Sequence, residues 1–182
     1  VYCNCDCPET SNFWRFFREH FEDYGLKRLT ATYKAPDACL TILEEQRGGV
    51  ALSRRTLTQG GDFRSDECIQ LLRQAEIIVT NPPFSLWREY LALLVEYQKH
   101  FLMIGPMNAI TYKEVFPLLQ GGKLWLGRTA VKSFLTPEGT VRKFGNVFWY
   151  TNLDHPQRHT PLLLDCRYSP ELYPRYVNYD AI

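Results

Sequence analysis

Hydrophobic positions along the chain fall into short blocks separated by polar turns, and the blocks alternate between the period of a strand and the period of a helix. Val1 to Asp6 reads as a first strand, closed by Pro8. Thr10, Ser11 and Asn12 all suit a helix N-cap. Phe13, Phe16, Phe17, Phe21 and Tyr24 then recur at helical spacing until Gly25. Leu26 to Tyr33 reads as a second strand. Ala38 to Leu43 and Val50 to Ser53 flank Glu45-Gln46-Arg47-Gly48-Gly49 and predict a hairpin. A short helix over about Ser65 to Gln74 leads into Ile77, Ile78 and Val79, a β-branched run of the kind buried on both faces of a sheet. Ser85 suits the cap of an amphipathic helix reaching about Lys99, and His100 to Ile104 reads as the next strand. Thr111-Tyr112-Lys113-Glu114 has the capping-box pattern and predicts a helix to Leu119 or Gln120. Lys123 to Leu126 and Val147 to Thr151 complete the strands, and Pro156 to Ile182, rich in Pro and Tyr, predicts irregular structure. Strands alternating with helices imply one α/β domain built on a mostly parallel, doubly wound sheet with right-handed crossovers. Its core spans 1–155, and 156–182 is an appended segment of the same domain.

One stretch carries chemistry. After Ile77–Val79 the chain reads Thr80-Asn81-Pro82-Pro83-Phe84. Two prolines cannot donate to a sheet ladder, so the strand stops there. Each also restricts the residue before it, which stiffens Asn81 and Pro82. A stiff turn can aim two acceptors, the Asn81 side-chain oxygen and the Pro82 carbonyl, at the two N–H bonds of a base's exocyclic amino group. Phe84 then offers a face for the planar base, a contact worth roughly 1–3 kcal/mol. In open α/β sheets ligands bind at this carboxyl edge of the strands. The bland alternative is a proline-rich turn with an aromatic plug.

Composition narrows the setting. At 182 residues, 45% hydrophobic and 23% charged, the chain is one ordinary globular domain. It contains no apolar run of transmembrane length and no visible signal peptide, and a cytoplasmic location is expected. It begins at Val1 without a methionine, so a preceding segment is expected. A net charge of +1 provides no global field for nucleic acid, so any such contact must come from local cations. Arg54, Arg55, Lys123, Arg128, Lys132, Arg142 and Lys143 are the candidates. Among six cysteines, Cys3, Cys5 and Cys7 would share one face of a continuous strand. Their spacing lacks the pattern of a zinc module and no His lies nearby, so they read as reduced structural thiols and no metal is expected.

Several stretches together resemble the adenine-specific DNA methyltransferases, most closely the EcoRI-type family. They are Val1 to Asp6, Ser11-Asn12-Phe13, Gly61-Asp62-Phe63-Arg64-Ser65, Ile77 to Phe84, Asn108 to Glu114, Thr151 to His155 and Asn178-Tyr179-Asp180. The resemblance implies a Rossmann-like fold using S-adenosylmethionine (SAM), double-stranded DNA as partner, and methylation of the N6 amino group of a flipped adenine. It implies that Asn81, Pro82, Pro83 and Phe84 form the catalytic turn. It implies that Asp6, Pro8, Ser11, Asn12 and Phe13 hold the methionine end of SAM, with Asp62 and Phe63 at its adenine. Two positions depart from the family pattern: Cys7 stands where a second acid is expected, and Val177 interrupts an acidic run near the end. The family also extends beyond both ends of this chain, so further segments or a partner domain are expected to supply target recognition. Asn-Pro-Pro-Tyr enzymes acting on a protein glutamine, and cytosine amino-methyltransferases, use related turns, but Phe84 and the wider resemblance favour adenine. A dinucleotide oxidoreductase is disfavoured because no G-x-G-x-x-G follows the first strand. A nucleic-acid-binding protein that keeps the fold but has lost the cofactor is the remaining rival.

Overall fold

The computed structural model describes residues 1–47, 49–136 and 139–161, together with 167, 169 and 171. Most of the segment expected to be irregular, including Val177 and Asn178-Tyr179-Asp180, lies outside the described residues. A single sheet of eight strands organises the rest. In chain order these strands are β1 (Tyr2–Asn4), β2 (Arg28–Thr32), β3 (Cys39–Gln46), β4 (Gly49–Thr56), β5 (Ile77–Thr80), β6 (His100–Pro106), β7 (Trp125–Ala130) and β10 (Val147–Thr151). A separate two-stranded hairpin, β8 (Ser133–Leu135) with β9 (Val141–Lys143), lies between β7 and β10 in the chain. The main helices are α1 (Asn12–Glu19), α2 (Asp66–Gln74) and α3 (Trp87–Glu96), with a short α4 (Phe116–Gln120). No helix among the described residues is long and apolar enough to cross a membrane.

The sheet order is β4-β3-β2-β1-β5-β6-β10-β7. Only three of its seven pairings are parallel, those of β1 with β2, β1 with β5, and β5 with β6. The expectation of a mostly parallel sheet is corrected to a mixed one. The reason is geometric: β3 and β10 run against the other six strands, and each sits between two of them, so two reversed strands create four antiparallel pairings. A tight hairpin forces β3 and β4 to be antiparallel, whereas a parallel neighbour needs a long crossover.

Alternation along β1 and β2 sends side chains to two faces. Cys3, Leu29 and Ala31 join Trp14 and Phe21 beneath α1, while Tyr2 and Ile78 pack on the other face with Leu72 of α2 and Trp87, Tyr90 and Leu94 of α3. Helices therefore cover both faces. α1 and α2 begin where a serine hydroxyl accepts a backbone N–H, Ser11 from Trp14 at 3.2 Å and Ser65 from Cys68 at 3.3 Å. Asp66 and Glu67 in the first turn of α2 complement its dipole.

Two other helix starts differ from expectation. Ser85 caps nothing. A 3-10 turn over Phe84–Leu86 precedes α3, and Leu86 N–H donates to the Pro83 carbonyl at 3.0 Å. The capping box at Thr111–Glu114 does not form, and the Thr111 hydroxyl donates back to the Asn108 carbonyl. Pro117 explains this, because a helix starting at Tyr112 would carry it inside, without a donor and against an earlier carbonyl. α4 begins instead at Phe116, with the proline in its first turn.

The thiol pattern is corrected as well. β1 ends at Asn4, and Cys5 takes a left-handed φ of 66°, so the alternation that would align Cys3, Cys5 and Cys7 is lost. Cys3 lies in the core beneath α1 and Cys5 packs against the opposite core; burial pushes both thiols up.

The packing under α3 hinges on Trp87. It is fully buried, donates its indole N–H to the Ile104 carbonyl at 3.0 Å and meets Tyr150 edge-on at 4.8 Å. Burial of such a side chain contributes roughly 1.5–3 kcal/mol. Gly105 makes room for it, since a Cβ there would overlap the indole. Gly105→Ala is therefore expected to destabilise the fold by about 1–3 kcal/mol through overpacking. Urea denaturation checks this, and an unchanged midpoint would refute the close approach.

Candidate active site

β1 has β2 on one side and β5 on the other, so the chain switches direction of travel across the sheet at β1. A crevice at the carboxyl end of such a switch point is where open α/β sheets bind ligands. Here the two strand ends are tied together. The Asp6 carboxylate accepts from the Ser11 hydroxyl at 2.9 Å and from the Asn81 backbone N–H at 3.4 Å. The Thr80 hydroxyl donates to the Asn4 carbonyl. Just upstream, Asn4 Oδ1 accepts from Cys5 N–H at 2.9 Å and holds the left-handed turn. The sequence thus brings a carboxylate, a helix entry and the Asn-Pro-Pro-Phe turn to one point.

Asp6 is buried, and loss of water pushes its pKa up to about 6, against the bonds from Ser11 and Asn81 that favour the carboxylate. Asp62 behaves in the opposite way. It follows Gly60 and Gly61, both at φ 66°, and a Cβ on Gly61 would collide with the Tyr33 carbonyl. Its carboxylate accepts from Arg64 Nε at 2.9 Å and Nη2 at 2.8 Å, from Arg64 N–H at 3.0 Å, and from Lys34 Nζ at 2.8 Å. Arg64 first, then Lys34, holds it well below the usual carboxylate range. Arg64 also reaches Glu89 of α3 at 3.4 Å, which links this turn to the helix after the Asn-Pro-Pro-Phe stretch.

Two cavities open on either side of Asn81 and Pro83. The larger, about 700 Å³, is bordered by Asp6, Ser11, Asn12, Phe13, Asp62 and Phe63, and also by Asn81 and Pro83. The smaller, about 410 Å³, is bordered by Asn81, Pro82, Pro83 and Phe84 on one side and by Arg142 and Phe144 on the other. Asn81 and Pro83 line both, with Phe134 and Leu135 of β8. Ten of the eleven site residues read from sequence therefore border this double site. Pro8 borders neither cavity. It stands in the turn where Ser11 N–H bonds to the Cys7 carbonyl at 2.7 Å. Phe63 is mostly buried and meets Tyr90 edge-on at 5.0 Å, so it offers the cavity only part of its ring.

Other lining residues have no counterpart in the sequence reading. Tyr33 and Lys34 follow β2, Trp149 comes from the reversed strand β10, and Phe134 and Leu135 come from the β8–β9 hairpin, which the hydrophobic pattern does not predict. The available signal for that hairpin was Thr136-Pro137-Glu138-Gly139, a turn-forming run between Phe134-Leu135 and Val141. No group of His, Cys, Asp and Glu among the described residues is arranged to hold a metal.

A family model described as adenine-specific methyltransferase EcoRI matches residues 1–182. The chain is 40% identical over 218 positions to the Type II methyltransferase M.EcoRI of Escherichia coli, covering all of this chain and 67% of that protein. It is 36% identical over 203 positions to M.MpnI of Mycoplasma pneumoniae and 32% identical over 206 positions to M.MgeORF184P of Mycoplasma genitalium, all of this chain and 63% of each. The chain thus spans about two thirds of the length of these relatives. No solved structure matches it significantly.

The raised pKa of Asp6 makes stability depend on pH. An unfolded aspartate titrates near 4 and the folded one near 6, so the native state holds the proton more tightly. Its stabilising contribution is fully present below about pH 4 and is lost as pH rises through about 6. Relative to Asp6→Asn, the wild-type chain is expected to lose about 2–3 kcal/mol between pH 4 and 7. Urea unfolding of both proteins at the two pH values measures it, and a constant difference would refute the desolvated carboxylate.

Proposed function

The chain belongs to the EcoRI family of adenine-specific methyltransferases, and on that premise we propose that it transfers a methyl group from SAM to the N6 amino group of an adenine extruded from duplex DNA. The observation that carries this reading is the shared wall: Asn81 and Pro83 border a large cavity and a smaller one at once, as a two-substrate transfer requires. The proposed fold assignment is the Rossmann-like methyltransferase one, in which the crevice at β1 and β5 receives the cofactor.

The larger cavity suits SAM by size and by chemistry. About 700 Å³ lies within the range of small-molecule sites. It combines aromatic walls from Phe13, Phe63 and Trp149 with carboxylates at Asp6 and Asp62. In this reading Asp6 accepts from the ammonium of the methionine moiety, and the N-terminal N–H groups of α1 face its carboxylate. Asp62 accepts from the adenine amino group as the exposed Lys34 gives way. When bound, SAM supplies a methyl group on a sulfonium centre open to nucleophilic attack.

The chain's own residues then prepare the nucleophile. Asn81 is exposed between the cavities, and its side-chain amide has no hydrogen-bond partner among the described residues. Its backbone is anchored to Asp6, so the turn is fixed while the amide oxygen is free. That oxygen and the Pro82 carbonyl accept the two N–H bonds of the target amino group. The nitrogen lone pair is thereby held out of conjugation with the ring and becomes nucleophilic toward the larger cavity. Phe84, itself 43% exposed, provides the stacking face. Positioning and electrostatics account for the rate, and the excess proton leaves to water afterwards. Cytoplasmic DNA is the proposed partner, with the segments by which the relatives are longer supplying target recognition.

Asn81→Ala is expected to reduce methyl transfer at least about 100-fold, the scale of losing one preorganised polar contact. SAM affinity measured by calorimetry should stay within a few-fold. Asp62→Asn should instead weaken SAM binding by about 10–100-fold, the range for hydrogen bonds to a charged group. Transfer of labelled methyl to unmethylated genomic DNA of mixed sequence is the assay. Wild-type turnover by Asn81→Ala would end the mechanism, and absence of SAM binding by the folded wild-type chain would end the enzyme reading.

A further inference from the structure

The β8–β9 hairpin is foreign to the sheet and built differently from it. Its register pairs Ser133 with Lys143, Phe134 with Arg142 and Leu135 with Val141. Residues directly opposite in an antiparallel pair share a face, and residues two apart along a strand share it too. Phe134, Arg142 and Phe144 therefore lie on one face, and all three border the smaller cavity beside Phe84. Lys132 joins that face, because its carbonyl accepts Phe144 N–H at 2.9 Å. Lys143 projects from the opposite face. Phe134 and Phe144 meet edge-on at 5.2 Å and make the hairpin a firm platform.

Its outer surface is unlike that of a soluble loop. Leu135, Val141 and Phe144 are 50%, 65% and 45% exposed, and Lys132, Arg142 and Lys143 are exposed around them. Among the described residues no carboxylate pairs with any of these three cations, whereas Arg54 pairs with Glu9, Arg64 with Asp62 and Arg158 with Asp154. Over 131–146 the sequence carries three cations and one acid, Glu138. In a chain whose net charge is +1, this is a local positive cluster on the hairpin, and its Arg142 borders the cavity beside the Asn-Pro-Pro-Phe turn.

We propose that the β8–β9 hairpin is the arm by which this protein grips the phosphodiester backbone of DNA next to the extruded nucleotide. Arg142 holds a phosphate at the rim of the smaller cavity, Lys132 holds its neighbour on the same face, Lys143 holds one on the other side of the hairpin, and Phe144 forms the wall facing Phe84. Exposed apolar side chains flanked by cations match a duplex whose base stack is opened at that point. This inference rests on the methyltransferase reading for its choice of DNA, but its own content is the location of the phosphate contacts.

The test uses a fluorescein-labelled duplex of mixed sequence and fluorescence anisotropy across a salt series. Each phosphate contact contributes about 0.9 to the slope of log affinity against log salt, so Lys132→Gln/Arg142→Gln/Lys143→Gln should lower the slope by about 2.7 and Arg142→Gln alone by about 0.9. At physiological salt the triple variant should bind about tenfold or more weakly. Its SAM affinity and melting temperature should be unchanged, since these side chains lie outside the larger cavity. Arg54→Gln/Arg55→Gln, on the opposite edge of the sheet, should leave the slope as it was. A triple variant with the wild-type slope, or equal losses from both sets, overturns the hairpin assignment and leaves the methyltransferase reading intact. A folded wild-type chain that binds no duplex even at low salt overturns both.

Discussion

The site depends on one buried carboxylate. Asp6 ends the turn after β1, accepts the hydroxyl that caps α1, and accepts the backbone N–H of Asn81 at the end of β5. Three separate pieces of chain are fixed by two oxygen atoms. The arrangement is unfavourable in isolation, as burial raising its pKa to about 6 shows. A residue selected for stability alone would not be charged there. The bonds from Ser11 and Asn81 offset part of that cost, and through them the same carboxylate orients the Asn-Pro-Pro-Phe turn.

The rest of the site follows from strand direction. β6 and β7 point the same way because β10 lies between them and runs against both. The connection from β7 back to β10 must therefore start at the carboxyl edge of the sheet, where β1 and β5 also end. That connection contains the β8–β9 hairpin, which is why Phe134 and Leu135 reach both cavities. Alternation along β10 makes Trp149 face α1, meeting Phe13 at 5.8 Å, while Tyr150 packs beneath Trp87 on the other face. A sheet without the reversed strand would have no short connection at that edge.

Much of this was legible from residues alone where the signal was local. Ser11 caps as its position suggests, the helix expected from about Ser65 forms, Ile77–Val79 form the strand before the turn, and Gly49 opens β4 after a tight hairpin turn. Reading failed where a distant or competing constraint won. The capping box at Thr111 lost to Pro117, and Ser85 was displaced by a 3-10 turn that Pro83 begins. The cysteine alternation failed because Cys5 leaves the β region. The β8–β9 hairpin is not written in the local pattern, because Lys132-Ser133-Phe134-Leu135 and Val141-Arg142-Lys143-Phe144 lack the two-residue alternation of a half-buried strand.

The sequence by itself determined the Asn-Pro-Pro-Phe turn and its stiffness, since two prolines after a β-branched run restrict the backbone wherever that run is placed. It determined the entry of α1 at Ser11 and the family as well. Only the tertiary structure decided that Asp6 and Asn81, 75 positions apart, share a hydrogen bond. It alone decided that Lys34 and Arg64 saturate Asp62, and that a cationic hairpin overhangs the turn. Local preferences are written in neighbouring residues and can be read in order. Contacts across the sheet depend on strand order and direction, which no single stretch encodes.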